Sequence, residues 1–531
     1  MSLNDFRNEP VLDFSLPEEV EAFGIALTTI GAKASRGELK AIPIIGGKER
    51  KENTTLGKSL NPSYSDQVLG EVYFASISQA SEAITLLSAG QKQWAETSFE
   101  YRADLIRKLA AGMRAERREL AALMVLEAGK PWGEADADVC EAIDFCDYYA
   151  ELAAEMAKPQ HLMPFLNGET NHYSYAPRGV SVVISPWNFP LAIAAGMTVA
   201  SLICGNTTVL KPAEQTSLIG AELARLIYQA GIPESAFAFL PGIGEEVGAY
   251  LVQHEEVHLV CFTGSRQVGL EILQNTSRVT PEQRHIKKVI LELGGKNTII
   301  VDDDADFDEA VKGVLYSAFG FAGQKCSACS RVIVLQDAYE RFTERLIEAA
   351  QALIVAPAEQ PEAFLGPLID AESQSRVRRL IEERKAHLSL GCIGECPDSG
   401  FFTPVTIFRD VPTTDPLWRE EAFAPVLCIR SADSFEEALA MANDSDYALT
   451  GGVYTRSPSH LERARAAFEV GNLYLNRGIT GAIVGRQPFG GFRLSGIGSK
   501  AGGPDYLLQF VEPRTITENT MRKGFTPELA D

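Results

Sequence analysis

The sequence predicts an α/β protein built on open, doubly wound parallel sheets, and three observations predict it. From Val180 onward, short apolar β-type runs alternate with helical ones. Such alternation makes parallel sheets, because each parallel strand pair needs a crossover between its members. A second α/β pattern begins near residue 296. The carboxyl ends of the first runs carry polar, Gly- and Pro-marked stretches, and open α/β sheets bind ligands at those ends.

Before Val180, residues 97–158 have helical apolar spacing, in RADLIRKLAAGMRAERRELAALMVLEAG and ADADVCEAIDFCDYYAELAAEM. VSVVISP is the first buried-strand run, and a helix starts near Leu191. TTVLKP (207–212) precedes helical SLIGAELARLIYQAG, FAFLPG (237–242) precedes EEVGAYLVQ, and VHLVCFTGS (257–265) precedes RQVGLEILQ. KKVILELGG (287–295) is the fifth run. Their ends read SPWNFP, KPAE, FTGS and ELGG. The second pattern holds ADFDEAVKGVLYSAFGFAG, SRVIVL, YERFTERLIEAAQALI and PVLCIR. HLMPFLNGETNHYSYAPRG (161–179) alternates about a central Asn-Gly and predicts a hairpin, with FVEPRTITENT as a partner strand.

Composition narrows the function. A chain of 531 residues exceeds one compact core, so two or three domains are expected. A formal charge of −22 argues against nucleic acid or an anionic membrane as a partner by general electrostatics. The N-terminal MSLNDFRNEPVLDF lacks the pattern of a signal peptide, which makes the cytoplasm the default expectation. The longest apolar runs, such as 191–204, are interrupted well short of a membrane span. Nine cysteines in such a chain are expected to be free thiols.

Three motifs invite other readings. HEEVH (254–258) matches a zinc-protease pattern, but a β-type run begins at Val257 and takes the two histidines off a shared helical face. GIGEEVG (242–248) is one residue longer than the dinucleotide fingerprint and reads as a tight turn between strand and helix. Cys326-x-x-Cys329 lacks a second Cys pair of metal spacing, since Cys392 and Cys396 are separated by three residues, and no metal is expected. A single nucleophilic cysteine remains. Its thiolate needs an electropositive or donor-rich setting, which Gly323, Gln324 and Lys325 suggest. Asn188, at a strand end, is a candidate oxyanion donor. Glu292, between two leucines, is a candidate base whose pKa burial would raise.

With these residues the chain resembles the aldehyde dehydrogenase superfamily over nearly its whole length. The matching stretches are ISPWNFPLAI, VLKPAEQT, FTGSRQVG, LELGGKN, GQKCSACSR, EEAFAPVL and PFGGFRLSG. NRGITGAIVGRQPFGGFRLSG, the following SKAGGPDYL, the Ser after the cysteine and the early FRNEP resemble the L-glutamate γ-semialdehyde (Δ1-pyrroline-5-carboxylate) dehydrogenase branch. The resemblance implies Cys326 as nucleophile, Asn188 and the Cys326 N–H on the oxyanion, and Glu292 activating water. It implies NAD as cofactor. Lys211 and Glu214 would meet the adenosine ribose, and Ser185, Trp187, Gly264 and Ser265 the pyrophosphate path. Glu421 and Phe423 would hold the nicotinamide ribose and ring, and Leu293 and Gly294 its amide. For substrate it implies Ser327, Lys325, Gly481 and Ala482 at the amino-acid end, Phe189 and Phe489 around the chain, and Glu141 at the ammonium.

The implied layout is a Rossmann-type NAD-binding domain (1–158 and 180–291), a catalytic domain (292–490), and an oligomerisation flap of hairpin and tail (159–179 and 491–531). At least a homodimer follows, with a separate proline dehydrogenase as a possible supplier of substrate. EEAFAPV departs from the usual EEIFGPV at Ala422 and Ala424, and Cys329 is read as a bystander. The alternatives are another semialdehyde such as succinate semialdehyde, a CoA-acylating relative, which Glu292 disfavours, and a non-catalytic protein on the same fold.

Overall fold

Two open sheets carry the molecule. The computed structural model describes residues 6–158, 168–390 and 396–521. The first sheet has eight strands, in the order Gly496–Ile497, Lys288–Glu292, Val257–Thr263, Val180–Ile184, Thr207–Lys211, Phe237–Phe239, Ile44–Ile45 and Lys48–Glu49. Its five central strands run parallel, and the outer ones pair antiparallel. Thr207–Lys211 is buried along its whole length, which is why it reads as a continuous apolar run rather than an alternating one. Val180–Ile184 lies in the middle, so strand order reverses beside it, between Ile184 and Phe262. That switch point is where such a sheet opens a ligand crevice.

The second sheet has seven strands: Leu388–Leu390, Thr406–Arg409, Val426–Ala432, Cys329–Leu335, Asn297–Val301, Thr450–Tyr454 and Asn472–Leu475. All pairs but the first are parallel. Its core is separate from those on the two faces of the first sheet. The helices expected in 97–158 are Phe99–Ala115, Arg117–Ala128 and Trp132–Met156, and they pack beside Ala192–Ile203 over the first sheet.

Several features depart from the sequence reading. A three-stranded sheet of Lys40–Ala41, Tyr64–Phe74 and Thr55–Asn61 was not read from the sequence, because its strands are largely exposed and polar. EEVGAYLVQ forms a π-type turn, Gly244–Gly248, leading into the short helix Ala249–Gln253. In HEEVH, the chain leaves that helix before the strand at Val257, and His258 stacks on His285 with ring centres 3.6 Å apart. Glu169–Pro177 pairs antiparallel with Val511–Asn519 in a two-stranded ribbon. The first arm of the expected hairpin, with Asn167, lies outside the described residues, as does Cys392. Residues past 490 do more than form a tail: Gly496–Ile497 edge the first sheet, and Tyr506–Phe510 pack into its core. Among the described residues, no helix is long and apolar enough to cross a membrane.

Candidate active site

The loop after Val180–Ile184 carries SPWNFP and is held from behind by a buried ion pair. Lys130 is wholly enclosed; its Nζ donates to Asp138 Oδ2 (2.9 Å) and to the Asn188 carbonyl (2.7 Å). It also lies 4.0 Å from the Phe189 ring centre and 4.7 Å from that of Phe321. Asp138 Oδ1 accepts the Ala192 N–H at 2.7 Å, so one ion pair pins both ends of the loop. Removing one partner strands a buried charge. Lys130→Met is therefore expected to destabilise the protein by about 3–5 kcal/mol, read as a lower urea midpoint. An unchanged midpoint would refute the pinning.

Cys326 sits between a helix and a strand. After Phe307–Phe319 the chain passes through Phe321 (φ 51°), Ala322 (φ 53°) and Gly323 (φ 67°) before reaching Cys329–Leu335. Left-handed backbone at two non-glycine residues is sparse and costs energy, and such strain gathers at functional turns. At Gly323 a Cβ would collide with the Ala424 carbonyl, so the turn needs glycine there. Enclosed Gln324 fixes the next step: its Oε1 accepts the Ile369 N–H (3.0 Å), and its carbonyl accepts Asn188 Nδ2–H (3.0 Å). Asn297 Nδ2 donates to the Cys326 carbonyl at 2.7 Å.

The thiol's surroundings differ from the electropositive setting expected. Burial, then the carboxylates of Glu421 and Glu292, push the Cys326 thiol up, so it rests neutral. The cation beside it is turned away: Lys325 Nζ pairs with Glu134 Oε1 at 2.6 Å and lies over the Tyr316 ring.

Glu292 ends the strand Lys288–Glu292. Its Oε2 is buried without a hydrogen-bond partner. Burial pushes this carboxyl up to about 8, against the opposing charge of Lys500. Glu421 Oε1 accepts the Gly295 N–H at 3.0 Å, and burial raises that carboxyl to about 7.

One cavity of about 110 Å³ gathers Cys326, Glu292, Glu141, Phe189, Ser327, Gly481, Ala482 and Phe489. Burial and the neighbouring Asp138 push Glu141 up to about 8. Phe489 is tied to Ala501 by paired backbone bonds of 2.9 and 2.8 Å. Lys325 is not in the lining, since its ammonium is spent on Glu134. Asn188 lies behind the lining, at the Gln324 carbonyl. The sequence reading missed Phe145 and Tyr149, which also line the cavity. Both follow Glu141 at steps of four on one helix, a one-face spacing that points to them. Tyr506 stacks on Tyr149 at 5.4 Å and closes that side.

A second group of candidates lines the ends of the first sheet. Lys211 Nζ meets Glu214 Oε1 at 3.1 Å, and Glu214 Oε1 accepts the Gly244 N–H at 2.6 Å. The Ser185 N–H donates to the Lys211 carbonyl (3.2 Å), and the Gly264 N–H to the Glu292 carbonyl (3.1 Å). Ser265 caps Arg266–Thr276 by accepting the Val268 N–H. Trp187 stands edge-on to Phe423, which has φ 50°, with ring centres 5.4 Å apart. The Leu293 N–H donates to the Ser495 carbonyl at 2.9 Å, and Gly294 faces the Glu421 carboxyl where a Cβ would collide with it.

Fold and site together define an α/β enzyme with a nucleotide-type sheet and a cysteine set beside its crevice. The chain belongs to the aldehyde dehydrogenase family, which matches residues 49–516. It is 44% identical over 516 residues to the 1-pyrroline-5-carboxylate dehydrogenase of Geobacillus sp. (strain WCH70), covering 97% of this chain and 99% of that one. Among solved structures it is similar to 1-pyrroline-5-carboxylate dehydrogenase from Thermus with bound NAD (TM-score 0.94, 44% identity, 98% of this chain and 100% of that one). It is also similar to proline utilization A (PutA) from Bdellovibrio bacteriovorus inactivated by N-propargylglycine (TM-score 0.95, 48% identity, 99% of this chain). This chain spans 54% of that protein's length.

Proposed function

We propose that this protein oxidises L-glutamate γ-semialdehyde, the open form of Δ1-pyrroline-5-carboxylate, to L-glutamate with NAD, as a step of proline catabolism. The observation that carries the proposal is the single cavity. It sets a thiol and an unpaired carboxyl beside five aromatic rings, a further carboxyl and the loop of Gly481 and Ala482. The family and the relatives of that name support it.

The residues at the crevice fit NAD. Ser265 begins a helix whose first N–H groups suit a pyrophosphate, with Ser185, Trp187 and Gly264 beside it. Lys211 and Glu214 would meet the adenosine ribose, where the Glu214 carboxylate would repel a 2′-phosphate and favour NAD over NADP. Glu421 and Phe423 would hold the nicotinamide side, and Leu293 and Gly294 would offer backbone groups to its amide. Bound NAD supplies the acceptor for the aldehyde hydride.

The chemistry of the chain then runs in two stages. Cys326 loses its proton to solvent as its sulfur bonds to the aldehyde carbon, which leaves Glu292 free for the second stage. The Cys326 N–H and the second Asn188 Nδ2–H, the one not given to the Gln324 carbonyl, would stabilise the resulting oxyanion. Loss of hydride leaves a thioester on Cys326. Glu292 then takes a proton from water, which attacks the thioester and releases the acid. At the far end, Ser327 and the N–H groups of Gly481 and Ala482 receive the α-carboxylate. Backbone donors hold an anion without formal charge, so a chain of charge −22 needs no basic cluster for an anionic substrate. Phe189 and Phe489 flank the aliphatic chain, and Glu141 meets the ammonium.

A homodimer is part of the proposal. The ribbon of Glu169–Pro177 and Val511–Asn519 has exposed faces, and Arg266–Thr276 exposes Val268, Leu270 and Leu273. Such apolar exposure marks an interface. A separate proline dehydrogenase would supply the substrate.

The test is NADH formation with NAD and glutamate γ-semialdehyde, succinate semialdehyde or propanal. Glutamate γ-semialdehyde is expected to give the highest kcat/KM by at least about tenfold, the worth of one well-made polar contact. Equal turnover of the others would overturn the substrate and keep the family's chemistry.

A further inference from the structure

One cation faces the cavity's base and has no part in the chemistry above. Lys500 is half-buried, and its Nζ is ringed by three oxygens: the Gly471 carbonyl (2.7 Å), the Gly490 carbonyl (2.7 Å) and Asn472 Oδ1 (3.0 Å). An ammonium has three donors, so this one is fully satisfied and fixed in place. Asn472 opens the last strand of the second sheet, and its Nδ2 donates to the Pro488 carbonyl at 2.9 Å. Lys500 and Asn472 thereby clamp Pro488–Gly490, the segment that presents Phe489 to the cavity.

Gly490 lies against the base. A Cβ there would stand 3.0 Å from Glu292 Oε1 and 3.4 Å from Lys500 Cγ, so a larger residue would have to press carboxyl and lysine apart. The titratable groups that face Glu292 are the Cys326 thiol, the Tyr149 and Tyr506 phenols and Lys500. Among the described residues Lys500 is the cation of that set, and Glu292 Oε2 has no hydrogen bond to favour its charged form.

We propose that Lys500 is a positioning residue of thioester hydrolysis: it holds Gly490 and Phe489 against Glu292, and its charge favours the carboxylate that takes the proton from water. The inference rests on the reading of Glu292 as the base. In that step water loses a proton to Glu292 and its oxygen bonds to the thioester carbon. The C–S bond breaks with its electron pair on sulfur, which recovers the proton from Glu292, and the free acid loses its own proton to solvent. Opposing charge across the Gly490 backbone favours ionisation, which is how Lys500 acts on this step.

The test uses the full chain with NAD and glutamate γ-semialdehyde, rapid acid quench, and intact-mass measurement of acyl-enzyme decay across pH. Lys500→Gln keeps a donor and removes the charge; Lys500→Arg keeps the charge. Lys500→Gln is expected to decay about tenfold slower at neutral pH and to regain its rate at alkaline pH, with Lys500→Arg close to the parent. A uniform slowing in Lys500→Gln with the pH limb unmoved would overturn the electrostatic role. Where Lys500→Gln does not fold, Lys500→Met is read the same way. Acyl-enzyme decay in Glu292→Gln at the parent rate would overturn the base itself and this inference with it.

Discussion

Cys326→Ala is expected to lose NADH formation by roughly ten-thousand-fold, the scale of removing a covalent nucleophile. The substitution deletes one sulfur atom at a half-buried position and disturbs little else. The Cys326 carbonyl still accepts from Asn297, and the turn through Phe321–Gly323 does not depend on the side chain. The first sheet's crevice is untouched. NAD should therefore bind the variant with unchanged affinity, measured by titration calorimetry. Loss of both binding and turnover would trace the defect to folding, and retention of more than about one per cent of activity would remove Cys326 from the nucleophile's place.

Glu292→Gln separates the two stages. The thioester should still form, but its hydrolysis should slow by about 10²–10⁴-fold, the usual range for a lost general base. One equivalent of NADH per site should appear, then stall, with the acyl group found on Cys326 by peptide mass spectrometry. The parent should show a matching pH dependence. Burial holds Glu292 near 8, so at neutral pH a minority is ionised. The hydrolytic rate should rise as pH climbs through about 8, and that limb should vanish in Glu292→Gln. Steady turnover at the parent rate in the variant would assign the proton to another group.

How legible was this in the sequence? The central strands were, because burial on both faces leaves uninterrupted apolar runs such as TTVLK. The motifs at their ends were legible because Gly, Pro and polar residues break those runs abruptly. The short outer strands Ile44–Ile45, Lys48–Glu49 and Gly496–Ile497 were not, since two residues carry no periodicity. The enclosed Lys130–Asp138 pair was hidden for another reason. Its partners lie on a helix and on a loop 58 residues further on. Lys325 misled because sequence adjacency to Cys326 says nothing about where a long side chain ends, and this one ends on Glu134. Phe145 and Tyr149 were within reach of the helical period, since they follow Glu141 at steps of four.

The edge strand Gly496–Ile497 has a consequence for how the protein is made. It hydrogen-bonds to Lys288–Glu292, roughly 200 residues earlier, and Tyr506–Phe510 fills the core beneath. At ribosomal speeds of about 5–20 residues per second, the strand bearing Glu292 emerges roughly 10–40 s before its partner. Through that interval the sheet edge is open to pairing with other nascent chains, and the Glu292 carboxyl gains its final setting only near the close of translation.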